Sequence, residues 1–156
     1  MWTLSLDTRE KRAYVETPAH ESNAVFSPDG KWVAYELTDP GREETQIFVR
    51  RFPATDEKHQ ISTAGGTEPV WGPNGDEIFF LTRIGEMALM SAEVVPGEVF
   101  QSRRPRRLFP VQTFPSSGLT RHYALSRDGK RFLMAVRQQM ATVPLTVVVN
   151  WLSQVK

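Results

Sequence analysis

The chain has no cysteine among its 156 residues. This excludes disulfides and thiolate metal sites but says little about compartment, since a domain with an adequate core needs no covalent staple. Net charge is also nearly absent: 19 Lys and Arg face 18 Asp and Glu, for a formal charge of +1. A nucleic-acid partner held mainly by charge is therefore not expected. No apolar run approaches the ~20 residues needed to cross a bilayer, so no membrane partner is expected either. The N-terminus, Met1-Trp2-Thr3-Leu4-Ser5-Leu6-Asp7, lacks the basic start and long apolar run of a signal peptide, which points to a cytoplasmic location.

Catalytic signatures are missing as well. There is no G-x-S-x-G elbow, no Gly-rich phosphate loop, no H-R-D and no D-F-G. Ser116-Ser117-Gly118 follows Pro115 and reads as loop. His20, His59 and His122 are not spaced as ligands on one strand or helix, and they are expected at surface or edge positions. The expectation is a chain with no catalytic residues, no cofactor and no metal.

What the sequence does contain is a repeat. Phe26-Ser27-Pro28-Asp29-Gly30-Lys31-Trp32-Val33-Ala34-Tyr35 returns 45 residues later as Trp71-Gly72-Pro73-Asn74-Gly75-Asp76-Glu77-Ile78-Phe79-Phe80. After a further 54 it returns as Leu125-Ser126-Arg127-Asp128-Gly129-Lys130-Arg131-Phe132-Leu133-Met134. Pro28 and Pro73 suit the first central position of a type I turn, and Asp29, Asn74 and Asp128 suit the second. Gly30, Gly75 and Gly129 then supply the left-handed residue, which predicts three-residue hairpin loops closed by a G1-type bulge. These turn residues could be imagined as a carboxylate set, but turn chemistry accounts for each of them.

Behind each glycine lie three consecutive apolar positions: Val33, Ala34, Tyr35; Ile78, Phe79, Phe80; Phe132, Leu133, Met134. A strand with one wet face alternates, so a continuous run implies burial on both faces. Antiparallel hairpins with doubly buried strands, repeated every ~40–50 residues, indicate an all-β chain of the β-propeller class.

The expected organisation is a single partial propeller domain over residues 1–156, a length suited to one domain. Blade-completing strands occupy 2–15 (Trp2–Leu6 and Arg12–Val15, around a turn at Asp7–Lys11), repeat 1 occupies 22–63, repeat 2 occupies 67–111, and partial repeat 3 occupies 119–151. Strands fall at about Asn23–Phe26, Trp32–Leu37, Gln46–Phe52 and His59–Ser62, then at Pro69–Trp71, Glu77–Leu81, Met87–Val94 and Arg107–Val111. The last repeat offers His122–Leu125, Arg131–Val136 and a β-branched strand at Thr146–Val149. Trp2, Phe48 and Met90 align as one third-strand class, with Leu6, Phe52 and Val94 four residues on.

This makes about three four-stranded antiparallel blades, half of a six-bladed ring. Propellers ordinarily close with four to eight blades. Bare blade faces carrying Phe79 and Leu133, together with an open strand edge, would drive association. A homodimer forming one six-bladed ring is expected, with the C-terminal strands pairing with Arg12–Val15 of either the same chain or its mate. The structural alternative is a fragment of a longer chain.

The repeat segments Phe26–Tyr35 and Val70-Trp71-Gly72-Pro73-Asn74-Gly75 resemble the PD40, or TolB-like, propeller repeat. Trp2–Leu6, Glu21–Ala24, Ile47–Pro53, Gly65–Pro69 and Val147–Trp151 are similar to the C-terminal part of propellers attached to bacterial serine/threonine protein kinases. The resemblance implies a non-catalytic sensor or interaction module of bacterial type. It also implies a periplasmic setting for the parent family. The kinase domain and earlier blades of that family are absent from this sequence.

Two features stand out as contact candidates. Trp32 has polar class-mates, Glu77 and Arg131, so it is expected at a solvent-facing or blade-margin position. It is either an interface anchor or a cover for the neighbouring hairpin. Arg103, Arg104, Arg106 and Arg107 form the one concentrated charge run. They suit an acidic partner, and more simply a solvated outer strand whose basic side chains guard an edge. The function expected is a protein-, peptide- or small-ligand-binding module using the ring's face or channel. The alternative is an accessory or gating domain of, or remnant from, a larger enzyme such as a kinase or a peptidase.

Overall fold

The computed structural model describes residues 1–82, 85–95, 97, 99–112 and 121–136. Among the described residues all regular structure is β, with no helix. β1 (Trp2–Leu4) and β2 (Lys11–Ala13) form an antiparallel ribbon with Thr3 opposite Arg12. β3 (His20–Phe26), β4 (Trp32–Thr38), β5 (Gln46–Arg51) and β6 (Lys58–Gln60) follow as a meander, each strand paired with the next. β7 (Thr67–Trp71), β8 (Glu77–Thr82) and β9 (Ala88–Val95) repeat that plan. The far edge of β9 carries β10 (Gln101–Ser102) and then β11 (Arg106–Pro110). β12 (Tyr123–Leu125) and β13 (Phe132–Met134) form a last hairpin. The whole is a partial β-propeller: an outer ribbon, two full blades and an inner hairpin.

The turns carry a device that the sequence pattern does not show. Gly30 has φ 70° and its amide donates to the Ser27 carbonyl at 2.9 Å, as a type I turn requires. The strand ladder, however, closes between Ser27 and Trp32: the Ser27 amide donates to the Trp32 carbonyl at 2.8 Å. The loop thus holds four residues, 28–31, rather than three. The Ser27 hydroxyl explains the extra residue, because it accepts the Trp32 amide at 3.0 Å in place of a main-chain carbonyl. The same hydroxyl donates to Asp29 Oδ1 at 2.6 Å, and that oxygen also receives the Lys31 amide at 3.1 Å. Ser126, Asp128 and Gly129 repeat the arrangement. In the middle turn Gly72 and Asn74 replace serine and aspartate together, and only the main-chain bonds remain.

Burial follows the run of three apolar positions. Val33, Ala34 and Tyr35 are buried, as are Ile78, Phe79 and Phe80. Alternate residues serve opposite faces. Ala34, Ile47, Val49 and Ile61 of the first blade pack against Trp71, Ile78 and Phe80 of the second. Phe79, Leu81 and Leu89 leave the other face of the second blade and meet Tyr123, Phe132 and Met134. Val33 turns back to Tyr14 and Val15, beside the ribbon. Each fully buried side chain of this size contributes about 1.5–3 kcal/mol, so the joints between blades, more than the sheets, hold the fold.

Several boundaries differ from expectation, each for a local reason. Phe79 is not on a bare face: its ring meets Phe132 edge-on at 5.0 Å. Leu133 is indeed bare, at 78% exposure. β2 ends at Ala13 instead of reaching Val15, because the amides of Tyr14 and Val15 both converge on the Met1 carbonyl, at 3.0 and 3.3 Å, and break the regular ladder; the Tyr14 hydroxyl reaches the carbonyls of Arg50 and Arg51 at 3.2 and 3.1 Å. β1 stops at Leu4, and Leu6 lies in the turn, 88% exposed. β10 was not anticipated, and β11 is interrupted by a register shift between Arg107 and Phe109. The expected strand Thr146–Val149, the loop Ser116–Gly118 and residues 137–151 of the partial third repeat lie outside the described residues.

Candidate binding site between the blades

The three glycine turns lie side by side on one face of the molecule. A Cβ on Gly75 would sit 3.6 Å from Pro28 Cδ, and a Cβ on Gly129 would sit 2.8 Å from Pro73 Cγ. The second and third turns are therefore each seated against the proline of the turn before. Asp29 and Asp128 in these turns are held below the ordinary carboxylate range, first by the hydroxyls of Ser27 and Ser126, then by the amides of Lys31 and Lys130. Both present negative charge on this face at neutral pH.

Between the first and second turns a cleft of about 260 Å³ opens. Its walls are Trp32, Trp71 and Phe100, and its rim carries Asp29, Asn74 and Asp76. Trp32 is half-buried, its ring tilted against Phe100 at 5.1 Å, with Arg51 5.7 Å above it. Trp32 is thus neither freely exposed nor buried in a core: it leans across from the first blade onto a residue of the second. Trp71 is pinned from the opposite side, its indole N–H donating to the Val25 carbonyl at 3.3 Å. A row of fixed aromatic faces below carboxylates suits a planar or cationic group.

At the start of the inner strands a polar clasp joins the blades. Asn23, Glu68 and His122 each lie seven residues before the turn glycine of their repeat. Asn23 and Glu68 sit at β-bulges, with φ of 51° and 58°. In the first blade Glu36 gathers the Ser22 hydroxyl at 2.9 Å and the Asn23 side-chain amide at 2.8 Å. It then receives the main-chain amide of Glu68, from the next blade, at 2.6 Å. In the second blade the position matching Glu36 is Leu81, and Glu68 supplies the carboxylate itself. It receives the His122 main-chain amide at 2.6 Å and lies against His122 Nδ1. The Tyr123 hydroxyl donates to the Glu68 carbonyl at 2.7 Å, and burial with the neighbouring Glu68 pushes that phenol's pKa up.

His122 is accordingly not a surface residue: its side chain is 6% exposed and that of Glu68 is 5% exposed. The Glu68–His122 pair is closed to any substrate and acts as a joint. His20 is exposed, and His59 is half-buried against Phe100 at 5.0 Å. Among the described residues no cluster of three or more His, Cys, Asp or Glu is placed to hold a metal.

The arginine run lies on and beside the outer edge of the second blade, and none of its four members lines the cleft. Arg103 pairs with Glu93 at 3.1 Å, Arg106 with Glu77 at 3.3 Å, and Arg107 with Glu86. Arg104 is exposed. Three of the four arginines therefore spend their charge within the blade. Sequence reading missed the clasp because its partners are 32 and 54 residues apart. The signal that would have found it is the run of three polar residues at one offset from the glycines.

No family model and no curated protein matches the chain. Among solved structures it is similar to TolB from Acinetobacter baumannii, with a TM-score of 0.63 and 20% identity. The match covers 90% of this chain and 32% of that one, so the chain spans about a third of the length of that protein. The fold is that of a TolB-like β-propeller. Among the described residues no helix is long and apolar enough to cross a membrane.

Proposed function

We propose that the chain is a non-catalytic binding module that receives a peptide, protein segment or small ligand on its turn-bearing face and self-associates into a six-bladed ring. The observation that carries the reading is the aromatic cleft with its carboxylate rim, held between two turns whose geometry is fixed by hydrogen bonds. Loops on a rigid scaffold are where binding groups concentrate, and this cleft selects for a planar cationic group such as an arginine side chain. The near-zero net charge and the internal pairing of the arginine run support a partner other than nucleic acid.

Trp32 and Trp71 supply the test. Titration with short arginine-containing peptides should change tryptophan emission saturably, and Asp76→Asn or Trp32→Ala should weaken or abolish the change. No saturable change at millimolar peptide would overturn the reading. Self-association is tested by light scattering, where a mass of twice 17.7 kDa is expected.

A further inference from the structure

We infer that the ribbon β1–β2 and the hairpin β12–β13 join between copies of this chain as two halves of one blade, with β1, in place of the expected strand Arg12–Val15, taking the edge of β13. The inference rests on the self-association proposed above and specifies its geometry.

In the first blade Tyr35 lies opposite Phe48 and Ala34 opposite Val49. In the second, Phe80 lies opposite Met90 and Phe79 opposite Ser91. The glycine alignment equates Tyr35, Phe80 and Met134, and the third-strand alignment equates Phe48, Met90 and Trp2. The side chains agree with this alignment. Ile47 and Leu89, one residue before Phe48 and Met90, pack forward onto the next blade, and Met1, one residue before Trp2, does the same. The joined blade therefore sets Met134 opposite Trp2, Leu133 opposite Thr3 and Phe132 opposite Leu4 of a second copy.

The ribbon already shows the space such a hairpin would fill. A groove of about 640 Å³ runs along Trp2, Leu4, Phe26 and Phe52. Phe26 is 53% exposed, whereas Trp71, its equivalent in the second blade, is 8% exposed beneath the preceding blade. The first blade covers Trp71, whereas among the described residues only the ribbon stands in front of Phe26. Trp2 and Leu4 are 55% and 62% exposed on one side of the groove, and Leu133 is 78% exposed at the other end of the chain. Two copies joined twice in this way make six blades, and the facing edges of β1 and β13 are both paired.

The absence of native cysteine makes the register directly readable. Residues directly opposite across a strand pair hold their Cβ atoms about 5 Å apart, and diagonal neighbours about 7–8 Å, so a disulfide selects the opposite pair. Mixing Thr3→Cys with Leu133→Cys under mild oxidation should give a covalent dimer, while Thr3→Cys with Arg131→Cys should stay at background. Leu133→Asp should convert the dimer to single chains. A parent mass of one chain overturns both this inference and the self-association it rests on. A two-chain mass with crosslinking at the offset pair, or at neither pair, overturns the register and leaves self-association standing. A crosslink in a double variant that forms only within one chain overturns the exchange between copies.

Discussion

Replacing Glu36 by leucine tests whether the carboxylate clasp joins the blades. Leucine is what the second blade carries at the matching position, Leu81, so neither shape nor strand propensity forbids it. The carboxylate is 7% exposed and holds three donors. Ser22 and Asn23 are half-buried and can turn to water, so losing their bonds costs about 0.5–1 kcal/mol each. The Glu68 main-chain N–H is buried and fixed at φ 58°, so it is stranded, at about 1–3 kcal/mol. Against this stand the relief of a buried charge and the added apolar burial of leucine, together about 1–2 kcal/mol. The net expectation is a loss of about 2 kcal/mol, or about 4–8 °C in thermal midpoint for a domain of this size. Glu36→Gln keeps an oxygen for Glu68 and an amide for Ser22, and should lose less than half as much. Circular dichroism melts of the three proteins decide the matter. Equal midpoints for wild type and Glu36→Leu would show that the clasp is no net support, and a larger loss in Glu36→Gln would show that charge, not the stranded amide, is what matters.

Gly72→Ser with Asn74→Asp should install in the middle turn the hydroxyl lock of its two neighbours, raising stability by about 1 kcal/mol; an unchanged or lower midpoint would refute the lock. Gly129→Ala should cost more than Gly30→Ala in chemical denaturation. Both force a side chain into the left-handed region at about 1–2 kcal/mol, but only at 129 does the new Cβ meet Pro73 at 2.8 and 2.9 Å. Acid should loosen the outer turns. Asp29 and Asp128 have folded values below their ordinary 3.8, so their contribution is complete above that value and disappears as pH falls through the folded values. Melts between pH 5 and pH 2 should show a midpoint falling below about pH 4, with a shallower fall in Asp29→Asn/Asp128→Asn.

The blades were legible because their cause is local. A glycine at a left-handed position, a proline before it and three apolar residues after it specify a hairpin wet on neither face, and the strands of both full blades lie within a few residues of where that pattern puts them. The turn length was not legible, because Ser27 stands in for a backbone acceptor and a side-chain substitution of that kind leaves no mark on apolar periodicity. Trp32 was legible as unusual but not as placed, since its neighbour Phe100 lies 68 residues away on a segment with no repeat signature. The clasp was hidden for a similar reason. Glu36 and Glu68 look like solvated charges on any polarity scale, and only the main-chain amide that the next blade turns toward each of them, from the bulge at Glu68 and from His122, makes their burial sensible.

That clasp has a direction. The carboxylate always belongs to the earlier blade and the amide to the later one, and the residue supplying the acid shifts from the second strand to the first between one joint and the next. The repeats are consequently not exchangeable bricks but keyed ones. Transplanting the second blade into the first's place would set Leu81 where Glu36 meets an amide, and the reverse exchange would set Asn23 where Glu68 meets one, so the order of the wedges is enforced at the hub as well as by the chain that threads them.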